Sequence, residues 1–298
     1  MIAIGKEATT MVEGDMAEKI ARPIVGAGFR ATALVVLAVI GLTGCAANSA
    51  PDIEPGPSAT TATTEAVRTG LVKFEDMGVA YRCAGDGSPA VILEAGSDSQ
   101  GTTSFPASFV DPIAEITTVC TYDRLGTGSV SSSPPDRART LADLAQVLDG
   151  MLSALELAEP YVLVGQSAGA GVAIAYAAAH PGRVAALVPI EGYHDDPAEI
   201  AAWQANEGFT WKDNPEHVDP LPATIEMDAV PMPLGEFPVL VISASAADPG
   251  GPDNQAHWLG LSPNSRQIVI HGPHDLQVTA PEELAGAIVD VVSDLQRG

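Results

Sequence analysis

The stretch Tyr161-Val162-Leu163-Val164-Gly165-Gln166-Ser167-Ala168-Gly169, continued by AGVAIAYAAAH to His180, decides the reading of this chain. A short apolar run of strand length enters Gly-x-Ser-x-Gly, and a run of small residues suited to a closely packed helix leaves it. Gly165 and Gly169 let strand and helix approach each other while the serine turns sharply outward. Ser167 then stands at a helix N-terminus, where free backbone N–H groups and the helix dipole favour a developing negative charge. A serine hydroxyl is a weak nucleophile until a base removes its proton, so the chain must also supply a histidine and an acid to orient it.

Six histidines are available. His274 lies in HGPHDLQVTAPEEL, just beyond the last apolar strand-like run, where an imidazole can reach back over the sheet edge to Ser167. His271 closes that run and is the local competitor. His180 ends a helix, where a dipole contact accounts for it; His194, His217 and His257 fall in surface or inserted segments. For the acid, Asp248 follows the run PVLVISAS, and Asp253 lies a little further on. Glu191, at the end of AALVPI, is the alternative. The order Ser167, Asp248, His274 is the one such a triad follows when the nucleophile opens a helix after a sheet strand.

From about residue 71 short apolar runs alternate with amphipathic stretches, the pattern of a mostly parallel sheet covered by helices. Strands are expected near 71–75, 79–83, 90–94, 117–122, 160–164, 185–190, 238–243 and 267–271. Helices are expected at 105–115, 139–157, 168–180, 255–260 and 281–296. In the second of these Leu141, Leu144, Leu148, Met151, Leu152 and Leu155 recur at helical spacing. The segment of about 191–236 shows no sheet pattern and carries Trp203, Phe209 and Trp211. Its length marks it as a lid, with the aromatics either contacting substrate or gluing the lid to the core.

With these residues in view, the chain from about 71 to 296 resembles an α/β-hydrolase-fold serine hydrolase, of the branch that carries a Tyr-Asp-Arg-x-Gly-x-Gly-Ser segment. Here that segment is Tyr122-Asp123-Arg124-Leu125-Gly126-Thr127-Gly128-Ser129. The resemblance implies an eight-stranded, mostly parallel sheet with helices on both faces and a small lid insertion. It also implies that Asp123 and Arg124 shape a loop beside the active site, and that the backbone N–H groups of Ser97 and Ala168 form the oxyanion hole. Glu94-Ala95-Gly96-Ser97 stands where many relatives have His-Gly, and Pro273 directly precedes His274; both are departures. In this fold the second strand neighbours the fourth, so Cys83 and Cys120 are expected to form a disulfide. A serine nucleophile argues against epoxide hydrolase and dehalogenase chemistry, which need an ester-forming carboxylate.

The 298 residues carry a formal charge of −24, which opposes binding to nucleic acid, whose recognition needs clustered Lys and Arg. No His or Cys cluster has metal-ligand spacing and no phosphate-cradling loop stands out, so no cofactor and no metal are expected. Residues 31–42, ATALVVLAVIGL, are too short an apolar run to span a bilayer but suit the core of a secretory signal. They run into Leu42-Thr43-Gly44-Cys45, which resembles the lipobox of bacterial lipoproteins. The expected organisation is therefore a signal peptide at 1–44, a lipid on Cys45, a Pro/Ser/Thr-rich tether at 45–70 and the catalytic domain at 71–298. The protein would be exported and held to the membrane by its lipid alone, acting on a small acyl ester, or on a lactone or thioester. Two other readings stay open. One is a non-catalytic ligand-binding lipoprotein on the same fold. The other is a small-peptide aminopeptidase whose lid acids Glu207, Asp213 and Glu216 would hold a substrate ammonium.

Overall fold

The computed structural model describes residues 67–298 except 98, 193 and 247–250. The expectations for the signal peptide and Cys45, and for Asp248, lie outside the described residues. Eight strands form one sheet: β1 (Arg68–Phe74), β2 (Met77–Ala84), β3 (Val91–Glu94), β4 (Val119–Tyr122), β5 (Tyr161–Gln166), β6 (Val184–Ile190), β7 (Val239–Ala244) and β8 (Ser265–Ile270). Their order is β1-β2-β4-β3-β5-β6-β7-β8. Only the β1–β2 and β2–β4 pairings are antiparallel; every other neighbour is parallel. β5, which ends beside Ser167, lies between β3 and β6, so loops from both neighbours converge on it.

The parallel strands are apolar along their whole length because both faces are covered. Ile92, Leu163, Leu187 and Val241 point to one core, while their sequence neighbours Leu93, Val164, Val188 and Ile242 point to the other. That alternation is the period of two that a pleated strand imposes. The nine helices among the described residues are α1 (Gly101–Ser104), α2 (Ala107–Ala114), α3 (Leu141–Ala154), α4 (Ala168–Ala179), α5 (Pro197–Glu207), α6 (Pro220–Asp228), α7 (Gly251–Gln255), α8 (Leu276–Thr279) and α9 (Pro281–Arg297). The first core is closed by α3 and α4, through Leu148, Met151, Val172 and Tyr176. The second is closed by α2 and α9, through Phe109, Ile113, Leu284 and Ile288.

Three features differ from the sequence expectation. The sheet begins at Arg68, inside the stretch read as tether, because Arg68–Phe74 pairs with Met77–Cys83 as an edge hairpin whose first strand is mostly exposed and so lacks an apolar pattern. The insertion between β6 and β7 holds two helices, α5 and α6, which no periodicity announced: α5 buries none of its residues. Its ends were nevertheless marked, by Asp196 accepting from the Ala198 N–H ahead of Pro197, and by Gly208 in the left-handed region at its C-terminus. The helix expected at 255–260 is a 3₁₀ segment over Ala256–Leu261, preceded by α7. Cys83 and Cys120 face each other in the β2–β4 register and are joined by a disulfide.

Candidate active site

Ser167 occupies the single residue between β5 and α4, with φ 54° and ψ −124°. A non-glycine residue rarely takes that conformation, and it is held here by the hydrogen bond from the Ser167 N–H to the Ile190 carbonyl of β6. The turn is tight because α4 starts against the end of β3: a Cβ on Gly169 would lie 2.6 Å from the Ala95 carbonyl oxygen. Ser167 is half-buried and Ala168 exposed, so both are open to a ligand.

His274 sits in the loop between β8 and α8, half-buried, and its two ring nitrogens face two different elements. Nδ1 lies 3.2 Å from Oε2 of Glu191. Nε2 lies 3.2 Å from the side-chain amide nitrogen of Gln166, the residue immediately before Ser167. An amide N–H donates to Nε2 only where that nitrogen carries a lone pair, which places the ring proton on Nδ1 against the carboxylate. This is the tautomer a general base needs at the nucleophile's end of the ring. No hydrogen bond joins Ser167 to His274 directly; such contacts commonly tighten only when substrate is bound.

Among the described residues the carboxylate that meets His274 is Glu191, the alternative in the sequence reading; the first choice, Asp248, lies outside them. Glu191 follows β6 directly, is fully buried, and takes φ 51° to turn its side chain back over the sheet. Its Oε1 accepts from the Ala244 N–H at 2.6 Å and from the Gln255 amide at 2.7 Å. Gln255 in turn accepts from the Ser243 hydroxyl, which accepts from the Gln267 amide, each at 2.8 Å. Burial works to raise the Glu191 pKa, but hydrogen bonds from His274, Ala244 and Gln255 outweigh it and hold the carboxyl below its ordinary value.

The remaining histidines have other partners. His271 meets the Ser245 hydroxyl at 2.9 Å, His180 packs on Tyr176, His194 and His257 stack on each other with ring centroids 3.6 Å apart, and His217 contacts the Pro135 carbonyl. Asp253 is exposed in the first turn of α7. Ser97 is exposed in the turn after β3. A Cβ on Gly96 would lie 2.6 Å from the Gln166 side-chain oxygen and 3.5 Å from the Ser167 Cβ, so the 95–97 loop runs directly beside Ser167. The two expected oxyanion donors therefore lie on elements that meet at Ser167. Asp123 is spent structurally, accepting from the N–H and hydroxyl of Thr102 at 2.9 and 2.8 Å. In the insertion Trp203 packs on Phe209 with centroids 5.0 Å apart, and Trp211 on His217 at 4.9 Å, so these aromatics have partners within the insertion itself. Among the described residues no group of His, Cys, Asp and Glu is arranged to hold a metal ion.

This topology, with a strand–serine–helix turn on its fifth strand, is the α/β-hydrolase fold. The family model described as alpha/beta hydrolase fold matches residues 93–219. A curated relative named "Putative carbamate hydrolase RutD", from Caulobacter segnis, is 32% identical over 119 residues, covering 39% of this chain and 43% of that protein. The chain thus matches less than half the length of that relative. Among solved structures, a thermophilic esterase from Thermogutta terrifontis superposes with a TM-score of 0.60 at 20% identity, covering 76% of this chain and 99% of the esterase. An enol-lactonase from Burkholderia xenovorans superposes with a TM-score of 0.58 at 17% identity, covering 75% and 100%.

Proposed function

We propose that the protein is a serine hydrolase that cleaves a carboxylic ester through an acyl-serine intermediate, with Ser167 as nucleophile, His274 as general base and Glu191 as the acid that orients it. The observation that carries this reading is the His274 ring, set between a buried carboxylate on Nδ1 and the neighbour of a strained, outward-turned serine on Nε2. His274 Nε2 takes the Ser167 proton as Oγ attacks the ester carbonyl, and Glu191 faces the imidazolium that forms. The N–H groups of Ser97 and Ala168 receive the oxyanion. Collapse breaks the bond to the leaving alcohol, which receives the proton back from His274. A water then gives its proton to His274 as it attacks the acyl carbon; the acyl–Oγ bond breaks, Ser167 Oγ takes the proton back from His274, and the acid leaves.

A carbamate is a second substrate class, favoured by the name of the relative that shares 32% identity over 119 residues; a lactone or thioester uses the same steps. The aminopeptidase reading loses support, because Glu216 is buried in an ion pair with Arg124 and Asp213 caps its own turn through Thr210. A non-catalytic binding protein would have no use for the hydrogen-bonded chain behind Glu191. The test is a panel of p-nitrophenyl esters of increasing acyl length beside an aryl carbamate. Turnover that falls about 10³-fold or more in Ser167→Ala is expected, and the ratio of carbamate to ester kcat/KM assigns the substrate class. Absence of turnover of every member by folded protein contradicts the reading. Lipid attachment through Cys45 remains part of the proposal on sequence grounds, and Cys45→Ser should move the protein out of the membrane fraction.

A further inference from the structure

Behind the oxyanion loop lies a buried cluster that the triad does not use. Arg124, fully enclosed beyond β4, donates from Nη1 to the Ala95 carbonyl and from Nη2 to the Gly96 carbonyl, at 2.5 and 2.7 Å. Its other edge is a two-point pair with Glu216: Nε to Oε2 at 2.6 Å and Nη2 to Oε1 at 2.7 Å. Glu216 belongs to the insertion between β6 and β7 and is itself 4% exposed. Its backbone is pinned as well. The Arg139 side chain donates to the Glu216 carbonyl at 3.1 Å, and the Arg139 backbone bridges to the insertion through the Arg139 N–H to the His217 carbonyl and the Asp219 N–H to the Arg139 carbonyl. Glu94, the residue before Ala95, is wholly buried at 3.7 Å from Arg124, and neither of its carboxylate oxygens has a hydrogen-bond partner. The arginine thus has two carboxylates within reach and is bound by the one from the insertion.

The carbonyl groups that Arg124 grips determine where the loop's N–H groups point. A trans peptide is planar, with C=O and N–H on opposite sides. Fixing the Gly96 oxygen on Arg124 therefore turns the Ser97 N–H away from Arg124, and this is the N–H assigned to the oxyanion. A guanidinium held on one edge by a two-point carboxylate and on the other by two carbonyls has little rotational freedom.

We propose that Glu216 is a positioning residue for the oxyanion hole: through Arg124 it makes the insertion part of the hole's construction, so that seating of the insertion and competence for acyl transfer are one event. The inference rests on the serine-hydrolase reading above and deepens it, by giving the insertion a role in the chemical step besides covering the substrate. An interaction of this kind acts on the transition state, because the oxyanion exists only there.

The experiment compares wild-type protein with Glu216→Gln and Glu216→Asp, measuring the fluorophosphonate labelling rate, kcat and KM on one p-nitrophenyl ester. Glu216→Gln should label about tenfold more slowly and lose kcat by a similar factor with KM within about twofold, since a neutral amide cannot replace the charged pair. Glu216→Asp, which keeps the charge, should recover part of the rate. A KM rise with unchanged kcat, or labelling at the wild-type rate in both variants, overturns the inference while leaving the triad reading intact. Wild-type protein that does not label overturns the triad reading and this one together. A readout on unsubstituted protein covers the case in which the variants do not fold: amide exchange before and after phosphonylation. Residues 93–97 and 214–219 should gain protection together, and protection confined to 93–97 contradicts the coupling.

Discussion

Burial alone would drive the Glu191 carboxyl towards its protonated form, and three hydrogen-bond donors reverse that. Its contribution to stability is accordingly present above the ordinary carboxylate range and fades as pH falls below it. Glu191→Gln keeps the size and the contact to Ala244 but presents an amide to Nδ1, which frees the ring to take the other tautomer. The expected result is a loss of kcat/KM of about 10³-fold or more with the melting temperature little changed in comparison. Glu94 is the opposite case. Burial outweighs its attraction to Arg124 and lifts its pKa from 4.5 to about 7. The native state then keeps a proton that the unfolded chain has already released, so this group's contribution to stability is greatest below pH 4.5 and is lost as pH rises to about 7. Over that window wild-type protein should lose on the order of 3 kcal/mol relative to Glu94→Gln. Melting curves of the two proteins from pH 4.5 to 8 check this, and parallel curves would contradict it. At this scale Ser167 and His274 were legible from local context, since a Gly-x-Ser-x-Gly turn and a histidine after the last strand are sequence-local signals. For the acid, sequence order favours the carboxylate after β7, Asp248, over the one after β6, Glu191; the described residues show the β6 turn carrying Glu191 to Nδ1, a placement that needs the fold, and Asp248 lies outside them.

At the scale of elements, the approach of α4 to the end of β3 is the contact on which the site depends. Gly169→Ala places a methyl group against the carbonyl oxygens of Glu94 and Ala95, backbone atoms that cannot rotate away. It should destabilise the fold by about 1–3 kcal/mol and reduce labelling of Ser167, measured by chemical denaturation and phosphonate kinetics on the same preparation. The disulfide between β2 and β4 closes a chain separation of 37 residues, and loop-closure entropy assigns it about 4 kcal/mol. Reduction, or Cys83→Ala with Cys120→Ala, should lower stability by an amount of that order while leaving the site's geometry, on β5, β6 and β8, in place. The interior strands were readable because each is a short apolar run, and α3 and α9 because one face of each is apolar. The two insertion helices were not, because α5 rests on caps and has no buried stripe to reveal it.

The whole chain carries a net charge of −24, and like charges in excess repel one another in a folded domain. Added monovalent salt screens the repulsion, so the melting temperature should rise between 0.01 and 0.5 M NaCl; a fall would show that specific ion pairs outweigh the net field. The strained serine, the histidine set between Glu191 and Gln166 and the loop gripped by Arg124 together make one testable claim, that Ser167 is the covalent nucleophile. The most direct measurement is the intact mass of the full-length protein after treatment with a fluorophosphonate, with peptide mapping of the adduct. The account predicts one adduct per chain, on Ser167, absent in Ser167→Ala and slowed by orders of magnitude in His274→Ala. Folded wild-type protein that gains no mass, or gains it on another residue, would contradict it.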